Sequence, residues 1–325
     1  MQQIDEFYSK DFYFSYSGLN KLIFSPTLFF NHYILGQRED KVEAYMIEGR
    51  LIHCLLLQPE EFSSQFVVAM DKLPSDNVRS IIDRIVRMHP NLEKLDTVQN
   101  DILQIMTEVN YLQTLKTDEQ RIAKLITPEN VNYFEFAKNA KSLTVIDQST
   151  LNKASEVVQL FKNNNEIIDV LKLNLTEFDL GVEVQYELPL QYKLKDYQFA
   201  GIKGILDCLV TNHNDKTLTI NDLKTTSKSL LDFNESVDYY NYWLQAGMYV
   251  LLAREYMKEK GFSYEINFNF VVVDKYNQVY CFPVSSMTLK DWEQRTKATL
   301  KMADYHYTNR RYDLPYRLAI SKCVL

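Results

Sequence analysis

Gly204-Ile205-Leu206-Asp207-Cys208-Leu209-Val210-Thr211-Asn212 is followed, across a short polar segment, by Leu218-Thr219-Ile220-Asn221-Asp222-Leu223-Lys224. Both runs are short and rich in β-branched and apolar residues. Asn212-His213-Asn214-Asp215 between them is turn chemistry, so the pair reads as a β-hairpin. Side chains alternate faces along a strand, which points Asp222 and Lys224 the same way and Leu223 the opposite way. The hairpin can also bring Asp207 and Asp222 together at one strand end. Two carboxylates a few Å apart repel, and each loses solvation in a half-buried site. A divalent cation removes both problems, and an all-oxygen set suits Mg²⁺ or Mn²⁺. A lysine beside them can hold a metal-bound water or neutralise charge developing at phosphorus. Taken alone, an Asp-x-Lys spacing equally fits an exposed ion pair on an edge strand. The setting decides for function: Asp207 follows Gly-Ile-Leu in an apolar strand, where an unpaired acid is costly.

Outward from the hairpin the chain divides by pattern. Residues 17 to 35 predict a helix capped by Ser15 or Ser17 and interrupted early by Pro26, and a second helix follows over Tyr45–Leu57, ended by Gln58-Pro59. From about 75 to 175, apolar residues recur every three to four positions, which predicts further helices. Near residue 181 the character changes. GVEVQYELPL adds a strand before the hairpin, and residues 236–261 predict one long helix stopped by Gly261. INFNFVVVDK and QVYCFPV make a second strand pair, and a last helix spans about 288–307. We therefore expect an α/β protein, with a mainly helical region over 1–175 and the functional core over 176–325.

Composition narrows the function classes. The 325 residues carry 36 Lys and Arg against 43 Asp and Glu, a net charge of −7, which argues against a broadly basic nucleic-acid coat but not against a local basic groove. Lys21, Arg50, Lys203, Lys228 and Lys301 are candidates for such a groove. Only 8 Gly and 8 Pro stand against 22 Tyr and 18 Phe, so the chain is neither a linker array nor disordered. No apolar run reaches the roughly 18–20 residues that span a bilayer, and the acidic start does not fit a signal peptide. A cytoplasmic protein with no membrane partner is expected. Cys54, Cys208, Cys281 and Cys323 are scattered without a CxxC pair, so zinc-ribbon and Fe–S sites lack their ligand spacing. Nucleotide-binding P-loops, GxGxxG, HExxH and GxSxG are absent from the sequence.

The segments G-I-L-D, I-N-D-L-K-T-T and Y-W-L-Q-A-G-M-Y together resemble the PD-(D/E)xK nuclease superfamily in its RecB-like branch. More narrowly they resemble the phage-type exonuclease VIII (RecE) group, related to phage lambda exonuclease. The upstream segments S-G-L-N-K-L-I-F-S-P-T-L-F and E-G-R-L-I-H-C-L-L-L-Q-P-E-E-F resemble that group's N-terminal helices. The likeness runs over about 15–65 and 145–255. It implies a restriction-endonuclease-like core, a mixed central sheet flanked by helices, with a helical N-terminal elaboration.

Carried over position by position, the resemblance makes Asp207 and Asp222 metal-binding acids, with the Leu223 carbonyl as a further oxygen ligand. Lys224 becomes the catalytic lysine, and His53 the helix-borne metal ligand, with Gly49 one turn before it. The early-strand glutamate falls on Glu183 or Glu187: Glu183 sits better against the group's segment and is the choice, while Glu187, in E-L-P-L, resembles the form in other RecB-like nucleases. Gln245 and Tyr249, one turn apart on a helix face, become substrate-contacting residues. The implied activity is a Mg²⁺-dependent (or Mn²⁺-dependent) 5′→3′ exonuclease on double-stranded DNA ends. It would serve phage-type recombination with a single-strand annealing partner, as a ring-shaped homo-oligomer. Relatives that carry an Fe–S cluster use four cysteines at a spacing this sequence lacks. Two other readings are a RecB-like nuclease of other polarity or an endonuclease in repair or defence, and a non-catalytic DNA-binding protein that keeps the fold.

Overall fold

The computed structural model describes residues 2–37, 44–140, 142–176 and 179–321. Contacts divide the chain into two compact units, Met1–Gln58 with Val157–Leu325, and Pro59–Glu156. The strands are β1 (Tyr13–Phe14), β2 (Phe66–Val68), β3 (Thr144–Ile146), β4 (Val182–Lys193), β5 (Gly201–Asn212), β6 (Thr217–Thr225), β7 (Glu265–Val273) and β8 (Val279–Val284).

The first unit is built on a six-stranded mixed sheet in the order β1-β5-β6-β7-β8, with β4 also paired to β5. β4–β5, β5–β6 and β7–β8 are antiparallel, whereas β1–β5 and β6–β7 are parallel. Short polar turns join β5 to β6 and β7 to β8, with Lys216 at φ +54° and Asn277 at φ +61°, while residues 194–200 between β4 and β5 bury Phe199 in the core. A parallel pair needs a crossover. Helices Phe233–Tyr239 and Tyr242–Lys260 supply it between β6 and β7. The second of them is buried over most of its length, and Leu244, Met248, Leu252 and Ala253 join Ile202, Leu206, Ile220 and Phe270 of the sheet in one core. Gly204 makes this close approach workable: a Cβ there would stand 2.9 Å from the Tyr249 ring. Tyr242–Lys260 also lies along helix Ser286–Asn309, so helices flank the mixed sheet as the resemblance implies.

Two helix expectations are corrected. The predicted 236–261 helix is two helices, because Asn241 adopts φ +56° and breaks the ladder. The left-handed residue is held by its own side chain, which donates to Asn20 Oδ1 at 2.8 Å and accepts from the Trp243 indole at 3.0 Å. The predicted 17–35 helix is likewise cut: Tyr16–Phe24 is capped by Ser15, and Ser25 then caps a new turn at Pro26–Phe29, which runs into a wider turn at Phe30–Ile34. Strands β1, β2 and β3 are two or three residues long, too short to show a period of two.

The second unit packs helices Asp76–Met88, Gln99–Glu108, Asp118–Leu125 and Pro128–Asn139 around Ile81, Ile85, Ile102, Met106, Leu125 and Phe134, with β2 and β3 as a parallel ribbon. Thr117 and Thr127 cap the last two helices, and Pro128 starts the fourth where its missing N–H costs nothing. Cys54, Cys208 and Cys281 are buried thiols; Cys323 lies outside the described residues.

Candidate active site

Strand β5 has two edges and three partners. β4 lies along one edge from Val182↔Asn212 to Lys193↔Gly201. The other edge is shared: β6 pairs with Cys208–Asn212, and β1 with Gly201 and Ile202. The last β5–β6 rung is Cys208↔Asn221, so Asp207 and Asp222 occupy the first positions beyond it, where the strands part. Asp207 Oδ2 accepts the Leu223 backbone N–H at 2.7 Å, a side-chain bond in place of the missing rung. A strand residue's N–H and C=O point to the same side, so the Leu223 carbonyl faces this gap too.

Asp222 is fully buried, and Lys224 forms a salt bridge to its Oδ2. Yet neither Asp222 oxygen has a hydrogen bond of ordinary geometry. Burial pushes the Asp222 carboxyl up to about 6, against the pull of the Lys224 ammonium and with added repulsion from Asp207. Burial also disfavours the charged Lys224, but Asp222 and Asp207 outweigh it and raise its pKa above the ordinary value. The ring of Tyr242 covers Lys224 Nζ at 5.0 Å.

The third wall is helix Ala44–Leu57, which touches both β5 and β6. Its apolar face (Leu51, Ile52, Leu56 and Leu57) is buried. Gly49 stands next to β6, where a Cβ would make an ordinary contact, 3.6 Å from Thr225 Oγ1. One turn on, His53 Nδ1 stands 3.3 Å from Glu187 Oε1 and 3.8 Å from Asp207 Oδ2. Burial acts to lower the imidazole pKa, and the Asp207 and Glu187 carboxylates together overcome it, so the net shift is upward. His53, Glu187 and Asp207 each offer a ligand atom within 4.8 Å of the others.

Glu187 reaches this cluster through its backbone. It adopts φ +48° in mid-strand, a conformation rarely taken by a residue with a Cβ. It is also the one position the β4–β5 ladder leaves unpaired, opposite Asp207. Alternation slips there on both strands. Gln185 and Leu188, three apart, both face helix Tyr242–Lys260 and its core, while Tyr186 reaches the Leu171 carbonyl. On β5, Leu206 and Leu209 share that core, while Cys208 reaches Leu171.

The structure thus brings together His53, Asp207, Asp222, Leu223 and Lys224. It does not place Glu183 with them. Glu183 is exposed near the end of β4 and pairs with His213 Nε2 at 3.3 Å, while Glu187 stands in the cluster. Strict alternation puts residues four apart on one face, and the slip between Tyr186 and Leu188 separates the two glutamates. Pro189 fits β4 as an edge strand and is paired in register, so it does not mark the slip. Gln245 and Tyr249 are buried on one helix face, with Gln245 Nε2 donating to the Tyr249 hydroxyl at 2.9 Å. Burial, then Asp207 and Asp222, hold the Tyr249 phenol well above its ordinary pKa. Tyr249 also lines a cavity of about 520 Å³ with Lys203, Gly204, Ile205, Ser15 and Ser17. Tyr242 and Tyr16 were not singled out from the sequence, where they are two of 22 tyrosines.

The donor set fits a divalent cation. One imidazole nitrogen and two carboxylates, those of Glu187 and Asp207, converge, and the fully buried Asp222 carboxylate, salt-bridged to Lys224, lies beside them across the gap.

Among solved structures, the chain resembles a candidate exonuclease from Eubacterium rectale, with 11% identity, a TM-score of 0.47 and coverage of 96% of this chain and 90% of that chain. No curated protein matches the sequence. The profile of the PD-(D/E)XK nuclease superfamily matches residues 13–312, nearly the full length, and the chain belongs to that superfamily.

Proposed function

We propose that this protein is a metal-dependent deoxyribonuclease that hydrolyses phosphodiesters at DNA ends. The observation that carries the proposal is the fork between β5 and β6, where Asp207, Glu187 and His53 converge beside the buried Asp222–Lys224 pair. His53, Glu187, Asp207, Asp222 and the Leu223 carbonyl would hold one or two Mg²⁺ or Mn²⁺ ions. When bound, such an ion supplies a water of lowered pKa and a Lewis acid toward a phosphoryl oxygen. Lys224, kept protonated by its acidic neighbours, orients the attacking water for in-line displacement and donates to charge developing on the phosphoryl group. Asp222 holds the ammonium in place, and the Tyr242 ring limits its exposure to water. Gln245 and Tyr249 order the floor of the site and face the substrate from the long helix. Glu187, in place of Glu183, takes the role of the early-strand glutamate.

Attack from 5′ ends, a preference for duplex ends, a single-strand annealing partner in phage-type recombination and a ring assembly follow from the sequence resemblance to the exonuclease VIII group. An endonuclease or an exonuclease of opposite polarity uses the same constellation, and so substrates must separate them. Linear duplex labelled at either end, nicked circles and covalently closed circles are incubated with Mg²⁺ and wild type or Lys224→Ala. We expect wild type to release nucleotides from 5′ ends of linear duplex and to spare closed circles, with Lys224→Ala slower by at least about a hundredfold. Equal release by both proteins, or none by either, overturns the mechanism. Cutting of closed circles makes the protein an endonuclease.

A further inference from the structure

Three tyrosines lead outward from the proposed catalytic lysine. Tyr242 covers Lys224 Nζ; Tyr240 stacks on Tyr242 with ring centres 5.4 Å apart and planes 26° apart; Tyr239 meets Tyr240 at 90° with centres 4.9 Å apart. Exposure grows along the series, from a largely shielded Tyr242 to 45% at Tyr240 and 77% at Tyr239. Tyr240 packs on Tyr242, and the adjacent rings of Tyr239 and Tyr240 form a right-angled, solvent-exposed corner. The corner is fixed in place. It sits at the break between the two crossover helices, where Asn241 holds its left-handed conformation. Tyr16 and Asn20 of helix Tyr16–Phe24 both donate to the Tyr240 carbonyl. A segment braced from the main chain outward, with its rings left exposed, is built to present those rings.

Resting on the nuclease reading above, we propose that Tyr239 and Tyr240 form a stacking shelf for unpaired nucleobases next to the scissile phosphate, so that the strand enters the site as single-stranded DNA. Two arguments choose this occupant. The shelf is continuous, ring by ring, with the lysine that meets the phosphate, so whatever lies on it is bonded to or adjacent to the reacting nucleotide. Flat aromatic faces bind the π-face of any base irrespective of sequence. Bases inside a duplex have both faces stacked and a terminal pair exposes a single flat one, so two rings set at 90° match unpaired bases, which can turn a face to each. On a duplex end, the protein therefore engages a strand whose terminal bases have parted from their complement.

The test separates binding from cleavage. In EDTA, where no metal-dependent cleavage proceeds, fluorescence anisotropy measures affinity for a short labelled single strand and for a blunt hairpin duplex of the same length. The proteins are wild type, Tyr239→Ala/Tyr240→Ala and Tyr239→Phe/Tyr240→Phe. The Ala pair is expected to lose about tenfold in single-strand affinity, the size of one lost base–aromatic stack. The Phe pair is expected to keep wild-type affinity, and duplex binding to change little in any variant. An Ala pair that binds single strands as wild type does, or that weakens both DNA forms equally, overturns the shelf. Cleavage is then measured with Mg²⁺ on blunt ends and on ends with a frayed terminus. A rate loss in the Ala pair that is larger on blunt ends supports the shelf, and an equal loss on both overturns it. Wild type that binds single strands through the tyrosines yet cleaves nothing sinks the nuclease reading and leaves the shelf standing.

Discussion

At the scale of single residues, the site is a contest between burial and charge. Asp222 is fully buried, with the Lys224 ammonium on its Oδ2. Its folded pKa of about 6 lies above the unfolded value of about 3.9. The native state therefore holds this proton more tightly. The group's contribution to stability is complete below about pH 3.9 and is lost as pH rises through about 6. A cation competes with that proton for the same oxygens, and His53, whose pKa is also raised, must be neutral to bind metal. Mg²⁺ or Mn²⁺ should accordingly raise the unfolding temperature more at about pH 7.5 than at about pH 5.5. Thermal unfolding at both pH values, with and without the ion, checks this; equal increments would remove Asp222 and His53 from the ligand set. The two glutamates give a second prediction. Glu187→Gln should weaken Mn²⁺ binding by about tenfold or more, while Glu183→Gln changes it by less than about twofold. Isothermal titration distinguishes them, and the reverse order would return the role to Glu183.

At the scale of elements, two backbone anomalies place the functional groups. Glu187 in the left-handed region shifts the alternation of β4, and β5 slips opposite it, so the two strands aim a carboxylate each at His53. That conformation costs a residue with a Cβ about 1–2 kcal/mol and costs glycine almost nothing. Glu187→Gly should therefore be more stable than Glu187→Gln by about 1 kcal/mol in urea unfolding without metal, while both lose the ligand. If the two unfold together, the strand is not strained at this position. Asn241 does the equivalent for the crossover, cutting one helix into two and turning Tyr239 and Tyr240 out to solvent. Glu187 has no local preference for this conformation; Asn241 tolerates it, but its helical surroundings continue the apolar periodicity on both sides and hide the break.

At the scale of the whole molecule, the charge of −7 restricts where DNA can touch. Of the five basic residues proposed for a groove, Lys228 is already paired with Glu235 at 2.7 Å, and Lys203 lines the cavity beside Tyr249. With four or fewer phosphates neutralised, the plot of log affinity against log salt for duplex DNA should be no steeper than about −4. Anisotropy titrations over a range of salt measure the slope, and a much steeper one would reveal a basic track elsewhere. Part of the acidic excess belongs to the site itself, where a bound cation counters it.

The sequence by itself determined the hairpin, the helical stretch between the two strand pairs and the meeting of Asp207 and Asp222 beside Lys224. Strand period and turn chemistry are local properties, and three residues of one β6 face and its neighbour suffice to state them. The helix bearing His53 was legible for the same reason. Only the tertiary structure decided that Glu187 and not Glu183 stands beside His53 and Asp207, that β1 and β6 share one edge of β5, and that three tyrosines line up beyond Lys224. Each of these depends on contacts between segments distant in the chain, or on a backbone conformation whose local cost is met by those contacts. A residue forced into an unfavourable conformation is invisible to propensity, since propensity describes what the isolated chain prefers.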